Sequence, residues 1–428
     1  MLSKLSNQFK NLLSGQLTRN VSWLGGAELV NRLFRLGTTV TLARMFSPHD
    51  YGLMALIYTT YDFANVFTLR GGIGAKVIQA DEQDVKAICD TSYWLNWILC
   101  ISICIIQCIA AFPIGYFSGN NQIILPLCTL ALAYLMFPFF LVNSALIERE
   151  NRLKITAFCN ATQSLVSNTI IIILALLGMR VWAIVWAMVF TTPVWIVITW
   201  MNHPWRPPKT FKLERWQEII TFGKNLLGIE VLNRLRMNID YLIVGKFLGV
   251  EALGIYYFAF NAGLGISLNV INTFNLALFP YFCEVRTDLG QLKKRFWGSL
   301  KKTYTIIAPL ILLQSMLAPL YVPFVFGQKW VIAIPILMSI CLSALPMLLG
   351  SASYYLLNAI GKPHVTFYWS LVNTFLFAIV ILCTVQFGIF WVSVSVLVYQ
   401  LLIVPLFAIW ATIYVFRKKQ FASVEEEN

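Results

Sequence analysis

The sequence predicts an all-α polytopic membrane protein with about 12 transmembrane helices in two six-helix lobes around a central cavity. Of its 428 residues 58% are hydrophobic and only 12% charged, whereas about a quarter of the residues in soluble domains are charged. Apolar runs of about 20 residues, the length that crosses a bilayer, follow one another along the chain. These runs are continuous rather than alternating, which argues against membrane strands.

Twelve segments are predicted to span the bilayer, and two of them carry several charges. In chain order the predicted spans are 22–43, 51–69, 88–113, 121–147, 155–177, 181–201, 217–245, 253–280, 303–325, 331–358, 364–386 and 389–416. The charged spans are the first and the seventh. Prolines inside several other spans are compatible with membrane helices, which tolerate them as kinks.

An internal repeat divides the chain into two similar halves. Residues 26–53 match residues 228–255 at a constant offset of 202 residues without a gap. Matched positions include Gly26 with Gly228, Glu28 with Glu230, Asn31 with Asn233, Arg32 with Arg234, Leu33 with Leu235, Gly52 with Gly254, and Arg44 with Lys246. With six spans in each half, the halves keep the same orientation, as parallel repeats do in many transporters.

The repeat and the spans together predict five regions. They are a cytoplasmic amphipathic leader (1–21), an N-terminal lobe (22–201), a cytoplasmic linker (202–216), a C-terminal lobe (217–416) and a cytoplasmic tail (417–428). Within the C-terminal lobe, residues 287–302 are predicted to form an amphipathic surface helix, because Leu292, Phe296 and Leu300 share one face.

The net charge of +13 follows the predicted topology. With the N-terminus inside, 23 of the 32 Lys and Arg residues fall on cytoplasmic segments and only four on the opposite side. This asymmetry is the positive-inside signal, so both termini are predicted to be cytoplasmic. The basic balance is therefore attributed to topology and anionic lipid, and nucleic acid is not an expected partner.

No cofactor or metal site is predicted, and the chain is expected not to be an enzyme. The nine cysteines show no CxxC spacing, the three histidines lie in predicted loops, and there is no P-loop. Cys100, Cys104 and Cys108 form a stripe on one helix face that is interpreted as packing. Every predicted outer loop is short, which disfavours a membrane glycan polymerase or ligase.

Charged side chains inside the predicted spans are the candidate functional residues. They are the basic Arg32, Arg35, Arg234 and Arg236 and the acidic Glu28, Asp62, Glu230 and Asp240. Each intramembrane charge costs roughly 2.5–3.5 kcal/mol on insertion scales, so these groups are expected to face protein or water rather than acyl chains.

Two interpretations of these charges stay open from the sequence. In one, Glu28–Arg32, Glu230–Arg234 and Arg236–Asp240 are intrahelical pairs at i, i+4 that neutralise each other. In the other, the arginines present positive charge to the phosphates of an anionic substrate, which a planar guanidinium binds through two parallel hydrogen bonds. The four acids are candidates for charge pairing or for binding a coupling cation.

Several segments resemble the polysaccharide transporter family, the Wzx-type flippases. They are LARMFSPHDYGLMAL at 42–56, ERENRLK at 148–154, DYLIVGKFLGVEALGIYYFA at 240–259, FGQKW at 326–330 and NAIGKP at 358–363. This family belongs to the multidrug/oligosaccharidyl-lipid/polysaccharide (MOP) exporter superfamily, as do lipid II flippases and MATE drug exporters.

The resemblance implies a flippase in the bacterial inner membrane. Its expected cargo is an undecaprenyl-pyrophosphate-linked oligosaccharide, a precursor of O-antigen, capsule or exopolysaccharide, moved from the cytoplasmic to the periplasmic leaflet by alternating access. Expected partners are this lipid-linked substrate, the bilayer, and the polymerase and glycosyltransferases of the same pathway. The alternative is a cation-coupled multidrug exporter of the same superfamily.

Overall fold

The computed structural model describes residues 34–425, and every regular element in that range is helical. In chain order the α-helices are α1 (34–45), α2 (Pro48–Phe67), α3 (Arg70–Gln79), α4 (Val85–Phe117), α5 (Ile124–Ala131), α6 (Pro138–Arg149), α7 (Leu153–Leu176), α8 (Val181–Asn202), α9 (Trp216–Ala262), α10 (Leu264–Cys283), α11 (Leu289–Tyr321), α12 (Ile334–Ala359), α13 (Pro363–Thr384) and α14 (Ile389–Glu425). The predicted all-α membrane fold is confirmed. The predicted leader and the candidates Glu28 and Arg32 lie outside the described residues.

Eight helices in the described range are long and apolar enough to cross a membrane. A ninth is obtained if Asn121–Met136 and Pro138–Arg149, which meet at an angle of 50°, count as one broken span. The predicted count of twelve is therefore approximate. The bend falls where Pro138 starts α6, because proline cannot donate the backbone hydrogen bond that would continue the preceding helix.

The boundary predicted between the seventh and eighth spans, after residue 245 and before residue 253, coincides with a break in the structure. The backbone of α9 leaves the helical conformation at Gly249, whose φ is 85°, so two helical segments meet there at a kink. Glycine adopts this positive φ without the steric cost that a Cβ would bring. The predicted eighth span is broken again at Gly263, and α10 starts at Leu264.

The first of two compact units comprises Thr60–Tyr116, Asn120–Val231 and the described part of Met1–Phe46. One of its cores joins Ile73 of α3, Ile88 of α4, Leu141 of α6 and Ile219 of α9. At one edge of this core, the guanidinium of Arg149 joins the end of α6 to the end of α3. It donates hydrogen bonds to the carbonyls of Val77, Ile78 and Ala80. The ERENRLK segment thus supplies donors to carbonyls at a helix end that have no donor within their own helix.

The predicted linker packs onto this first unit. The indole Nε1 of Trp94 donates to the carbonyl of Thr210 at 2.9 Å, and Asn143 Nδ2 donates to the carbonyl of Trp205 at 3.1 Å. The Trp205 side chain packs against the same core as α3 and α4. The segment is held by these contacts even though it has no regular secondary structure.

His203, at the start of this segment, is held in its neutral form. Its Nδ1 accepts the Trp205 backbone N–H at 3.1 Å, and its Nε2 lies 3.4 Å from Glu150 Oε1. Burial lowers the pKa of His203, with the nearby Glu150 carboxylate opposing the shift. A protonated imidazole has no acceptor for the Trp205 N–H.

Acid is therefore expected to destabilise this end of the first unit. Because the unfolded imidazole, with a pKa of about 6.5, binds a proton more readily than the folded one, the contribution of His203 is complete above that pH and is lost below it. The test compares melting temperatures from pH 7 to pH 5 for the wild type and His203→Asn, whose Oδ1 accepts the same N–H. The variant should lose less stability with acid; parallel curves would contradict the assignment.

The second compact unit comprises Ser47–Thr59, Phe117–Gly119 and Leu232–Asn428. One core is built on α11, where Leu292, Phe296 and Leu300 are buried against Phe282 of α10 and Leu356 of α12. The predicted apolar face of 287–302 is confirmed. The segment does not form a separate surface helix, because α11 runs unbroken from Leu289 to Tyr321.

The two glycines matched by the repeat lie at one helix crossing in this second unit. A Cβ on Gly52 of α2 would lie 1.9 Å from the carbonyl oxygen of Val250, and a Cβ on Gly254 of α9 would lie 1.7 Å from that of Pro48. Both distances are far below van der Waals contact, so only glycine allows the two backbones to approach this closely. The parts of the duplicated segments that hold these two glycines therefore pack on each other.

Beside this crossing lies an aromatic cluster that includes the FGQKW segment. Trp330 is fully buried and stacks on Phe258 with ring centroids 3.9 Å apart, while Tyr51 meets Trp330 edge-on at 4.8 Å. Phe326 adds a second edge-on contact to Phe258 at 5.3 Å. These offset and edge-to-face contacts stabilise the packing of α2 and α9 with the segment that precedes α12.

The two compact units are defined by contacts within the structure, so their bounds differ from those of the five regions predicted from the sequence. The lobe boundaries, 22–201 and 217–416, stay a prediction about the transport cycle. Most of the predicted tail continues a helix, since the backbone of α14 runs to Glu425.

Candidate functional site

A short break separates α2 from α3. Leu69 has a φ of 51°, a left-handed conformation that is uncommon for a residue with a Cβ, and it separates the two helices. The carbonyl of Thr68 at the break accepts a hydrogen bond from Asn96 Nδ2 of α4 at 3.1 Å. Irregular backbone at membrane depth is tolerated where buried polar groups satisfy it in this way.

Arg70, the first residue of α3, lies among three aromatic rings. Its guanidinium carbon is 4.8 Å from the ring centre of Phe140, 5.2 Å from that of Trp195 and 5.7 Å from that of Phe137. All three distances fall within the range of a cation–π contact, about 6 Å. The rings fix the plane of the guanidinium without using its N–H donors.

The aromatic groups around Arg70 have their own polar atoms satisfied. Trp195 Nε1 donates to Gln163 Oε1 at 2.8 Å, and the Tyr134 hydroxyl donates to Gln107 Oε1 at 2.8 Å. Tyr61 of α2 stacks on Tyr134 with ring centroids 5.6 Å apart. The walls of this arginine–aromatic cluster are therefore already ordered.

Arg70 itself is different. In the part of the chain that the structure describes, no acidic oxygen lies within 4.0 Å of its guanidinium, and the guanidinium donates no hydrogen bond. A half-buried cation with up to five unused donors carries a large desolvation cost. Such an arrangement suits the binding of an anion, because the missing hydrogen bonds are the ones that a phosphate supplies.

The start of α3 offers further donors next to Arg70. Leu69 makes no side-chain capping bond, and two small residues, Gly71 and Gly72, follow Arg70. The α9 helix packs directly on them: a Cβ on Gly71 would lie 2.6 Å from Glu230 Oε1, and one on Gly72 would lie 2.7 Å from the Cα of Gly223. A carboxylate thus rests beside a helix N-terminus, whose dipole favours negative charge.

The structure places the remaining predicted site residues on three helices. Arg35 is exposed on α1, Asp62 is half-buried on α2, and Arg234 and Arg236 are half-buried on α9, where Asp240 is buried. Glu230 lies against Gly71, as described above. Arg35, Asp62 and Glu230 belong to the first unit and Arg234, Arg236 and Asp240 to the second.

Asp240 has partners that helix spacing did not indicate. Its Oδ2 accepts the hydroxyl of Tyr256 at 3.0 Å, and its Oδ1 accepts the backbone N–H of Tyr241 at 3.0 Å. Within the described residues no ion pair joins it to Arg236, although the two are four positions apart. Two residues earlier on α9, Asn238 Oδ1 lies 3.4 Å from the Thr59 hydroxyl.

Sequence reasoning missed Arg70, which it had counted among the basic residues of a cytoplasmic connection after span 51–69. The helical region continues to Gln79 beyond a short break, which places Arg70 inside the unit. One signal was available: the segment RGGIGA combines an arginine with three glycines directly after an apolar run.

Long apolar helices, a broken helix pair and charged groups held within helical packing define a multi-pass membrane transporter. The chain belongs to the polysaccharide biosynthesis protein family, whose sequence profile matches residues 41–335. The resemblance inferred from the sequence is thereby confirmed.

Two bacterial relatives cover most of the chain. The chain is 23% identical over 378 residues to the teichuronic acid biosynthesis protein TuaB of Bacillus subtilis (strain 168), covering 88% of this chain and 78% of TuaB. It is 26% identical over 342 residues to the lipopolysaccharide biosynthesis protein WzxC of Escherichia coli (strain K12), covering 78% of this chain and 68% of WzxC.

Solved structures share the fold at low sequence identity. The lipid II flippase MurJ in an inward closed conformation matches with a TM-score of 0.74 and 13% identity over 94% of this chain and 90% of MurJ. An inward-facing MATE family multidrug transporter of the MOP superfamily matches with a TM-score of 0.72 and 13% identity, over 91% of this chain and 96% of that one. The MOP fold predicted from sequence is confirmed.

Proposed function

We propose that this protein is a flippase that moves a polyprenyl-diphosphate-linked oligosaccharide from the cytoplasmic to the periplasmic leaflet of the bacterial inner membrane. The proposal is carried by Arg70, a guanidinium set among Phe137, Phe140 and Trp195 without an acidic partner in the described chain. The oxygens of a diphosphate can accept two parallel hydrogen bonds from the planar guanidinium. The family membership supports the same class of cargo.

Arg70 gives the N-terminal part of the chain a fixed anion-binding group. We further propose that Arg35, Arg234 and Arg236, with Arg32 as the fourth, bind phosphate during transport, as the sequence predicts. Glu230 beside Gly71 holds the place of an anion at the start of α3 until the cargo phosphate displaces it. Because one anion replaces the other, the positive end of the α3 dipole always has a negative charge beside it.

No covalent bond changes in the proposed cycle, so the protein acts as a transporter rather than an enzyme. The diphosphate and sugars pass through protein while the polyprenyl chain remains in lipid, and the arginines are exposed first to one side of the membrane and then to the other. A membrane potential negative inside favours outward movement of the anion by about 2.3 kcal/mol per charge per 100 mV. The pathway's glycosyltransferases and polymerase are the proposed suppliers and users of the cargo.

Asp240 is the proposed site of a coupling cation, with Asp62 as a second candidate. A buried carboxylate whose described partners are a tyrosine hydroxyl and a backbone N–H is costly unless it carries a proton or binds a cation. The buried carboxylate of Asp240 also favours the alternative function, a cation-coupled multidrug exporter. The two functions differ in the charge of the cargo, since Arg70 repels a cationic drug and attracts a diphosphate.

The test is transport by the purified full-length chain in liposomes. A fluorescent polyprenyl-diphosphate oligosaccharide is incorporated, and a membrane-impermeant quencher reports which leaflet holds the headgroup. Protein-dependent exchange of the label between leaflets, with no exchange for a lipid-linked sugar that lacks phosphate, is the expected result. Transport of cationic dyes with no movement of the diphosphate lipid would establish the exporter instead.

A further inference from the structure

One face of α11 carries positive charge that the described acidic side chains leave uncompensated. The first four turns of the helix expose Lys293, Lys294, Trp297, Lys301 and Lys302, here called the basic strip. The opposite face of the same turns is buried, as described for Leu292, Phe296 and Leu300. The strip is therefore held on a rigid helix and not on a loop.

The acidic side chains near the strip are already engaged. Glu284 pairs with Arg295 at 2.6 Å, and Arg295 also lies over the ring of Tyr281. Asp288 caps the start of α11 by accepting the backbone N–H of Gln291 at 2.9 Å, a bond that lowers the pKa of its carboxyl. Among the described residues no acidic oxygen lies within 4.0 Å of the four lysine ammonium groups.

Several basic side chains of the first unit have an acidic partner in that unit. Ion pairs there include Lys76–Glu218 at 2.6 Å, Arg215–Asp84 at 2.6 Å and Arg152–Glu150 at 3.0 Å. Lys212 adds a pair with Glu214 at 3.3 Å. The strip differs because four exposed lysines without such a partner among the described residues are clustered within ten residues of one helix, which suits an anionic surface outside the protein.

We infer that the basic strip binds the phosphate headgroups of anionic phospholipids in the leaflet where this end of α11 lies. The same helix passes without a break from the strip into an apolar segment whose exposed side chains, Ile306, Leu310 and Leu313, suit acyl chains. The lysines of the strip would thus lie at the level of the lipid headgroups, and the exposed apolar side chains at the level of the lipid tails. Trp297, about half exposed within the strip, suits the membrane–water interface, where tryptophan is enriched.

Lysine chemistry supports lipid over a shaped protein surface. Lysine is a flexible point charge that follows mobile headgroups, whereas bidentate recognition of a fixed carboxylate favours arginine. Juxtamembrane clusters of Lys and Arg bind anionic membranes in this way. The inference concerns the fold and does not depend on which cargo the protein carries.

The experiment measures lipids bound to the full-length protein by native mass spectrometry in detergent with equal phosphatidylglycerol and phosphatidylcholine. The wild type should retain phosphatidylglycerol preferentially. Changing all four strip lysines to glutamine should lower that preference about tenfold, whereas changing them to arginine should keep it. The matched control replaces Lys86, Lys154, Lys209 and Lys212, which are not clustered on one helix, with glutamine and should bind as the wild type does.

An unchanged lipid preference in the glutamine variant of the strip would overturn the inference, with melting temperature confirming that both variants fold. Loss of a co-purifying acidic protein from that variant would then assign the strip to a protein partner.

Discussion

Replacing Arg70 with alanine is expected to reduce transport of a diphosphate-linked lipid by at least roughly a hundredfold. Hydrogen bonds to charged groups contribute about 1.5–3 kcal/mol each, and a bidentate pair is lost together, while each 1.4 kcal/mol is a factor of about ten. The aromatic rings of Phe137, Phe140 and Trp195 would remain, but none of them donates to phosphate from its face. The measurement is the leaflet-exchange rate in liposomes.

Arg70→Lys separates charge from geometry at the same position. Lysine keeps the positive charge but loses the planar fork, so an intermediate rate, about tenfold below wild type, is expected. The wild type should also prefer a diphosphate over a monophosphate carrier, and Arg70→Lys should narrow that preference. A purely structural role for Arg70 would change the rate for both carriers by the same factor.

Arg206→Ala is the matched control for these variants. Arg206 also lies over an indole ring, that of Trp200 at 5.1 Å, but its donors are used by the carbonyls of His203, Trp205 and Trp200. Its loss is expected to leave transport unchanged. Wild-type transport by Arg70→Ala, at equal protein amount and melting temperature, would show that the arginine–aromatic cluster is not a cargo site.

Composition and periodicity were sufficient for the fold class and for individual faces. Continuous apolar runs placed most helices, because a membrane helix needs a minimum apolar length regardless of its neighbours. The face of 287–302 was predicted correctly because residues three and four apart share a side, and Leu292, Phe296 and Leu300 are buried together. These features depend on local sequence alone.

Partners of the charged groups could not be predicted because they come from distant parts of the chain. Helix spacing considers neighbours on one helix, which suggested Arg236 for Asp240, whereas the structure supplies Tyr256. Likewise Glu230 lies on Gly71, more than 150 positions away, and Arg70 lies on rings from α6 and α8. Such contacts depend on how the helices pack in three dimensions, and the spacing of residues along one helix does not indicate them.

The internal repeat identified equivalent positions without indicating that they touch. Gly52 and Gly254 were matched by their offset, and the structure places both at one crossing. The two halves start the matched helices by different means. Ser47 and Asp50 form a capping pair at the start of α2, with the Ser47 N–H donating to Asp50 Oδ2 at 2.9 Å, whereas the equivalent of Ser47 is Gly249, the kink of α9.

Gly254→Ala is expected to be the most damaging single methyl addition in the second unit. The new Cβ would meet the backbone carbonyl of Pro48, which cannot rotate away as a side chain can, so α2 and α9 must separate. Overpacking of this kind costs about 3 kcal/mol or more when backbone has to move. A large fall in melting temperature and loss of leaflet exchange are the expected results.

Gly298→Ala provides the control, because that glycine also lies in a helix but has no atom within 4 Å of the position of a Cβ. Alanine there should be neutral or slightly stabilising, since it narrows the unfolded ensemble. Comparing the melting temperatures of the two variants separates the effect of the close helix crossing from the effect of replacing any helical glycine with alanine. Equal melting temperatures for Gly254→Ala and Gly298→Ala would contradict the close crossing.

The double variant Gly52→Ala/Gly254→Ala tests whether the two matched glycines serve one contact. Once the first methyl has forced the helices apart, the second should meet open space, so the combined loss of stability should be clearly smaller than the sum of the two single losses. Neighbouring substitutions that share a backbone shift are non-additive in this way, by about 0.5–3 kcal/mol. If the two losses of stability simply add, each glycine is constrained by its own contact. The two matched glycines would then not share one helix crossing.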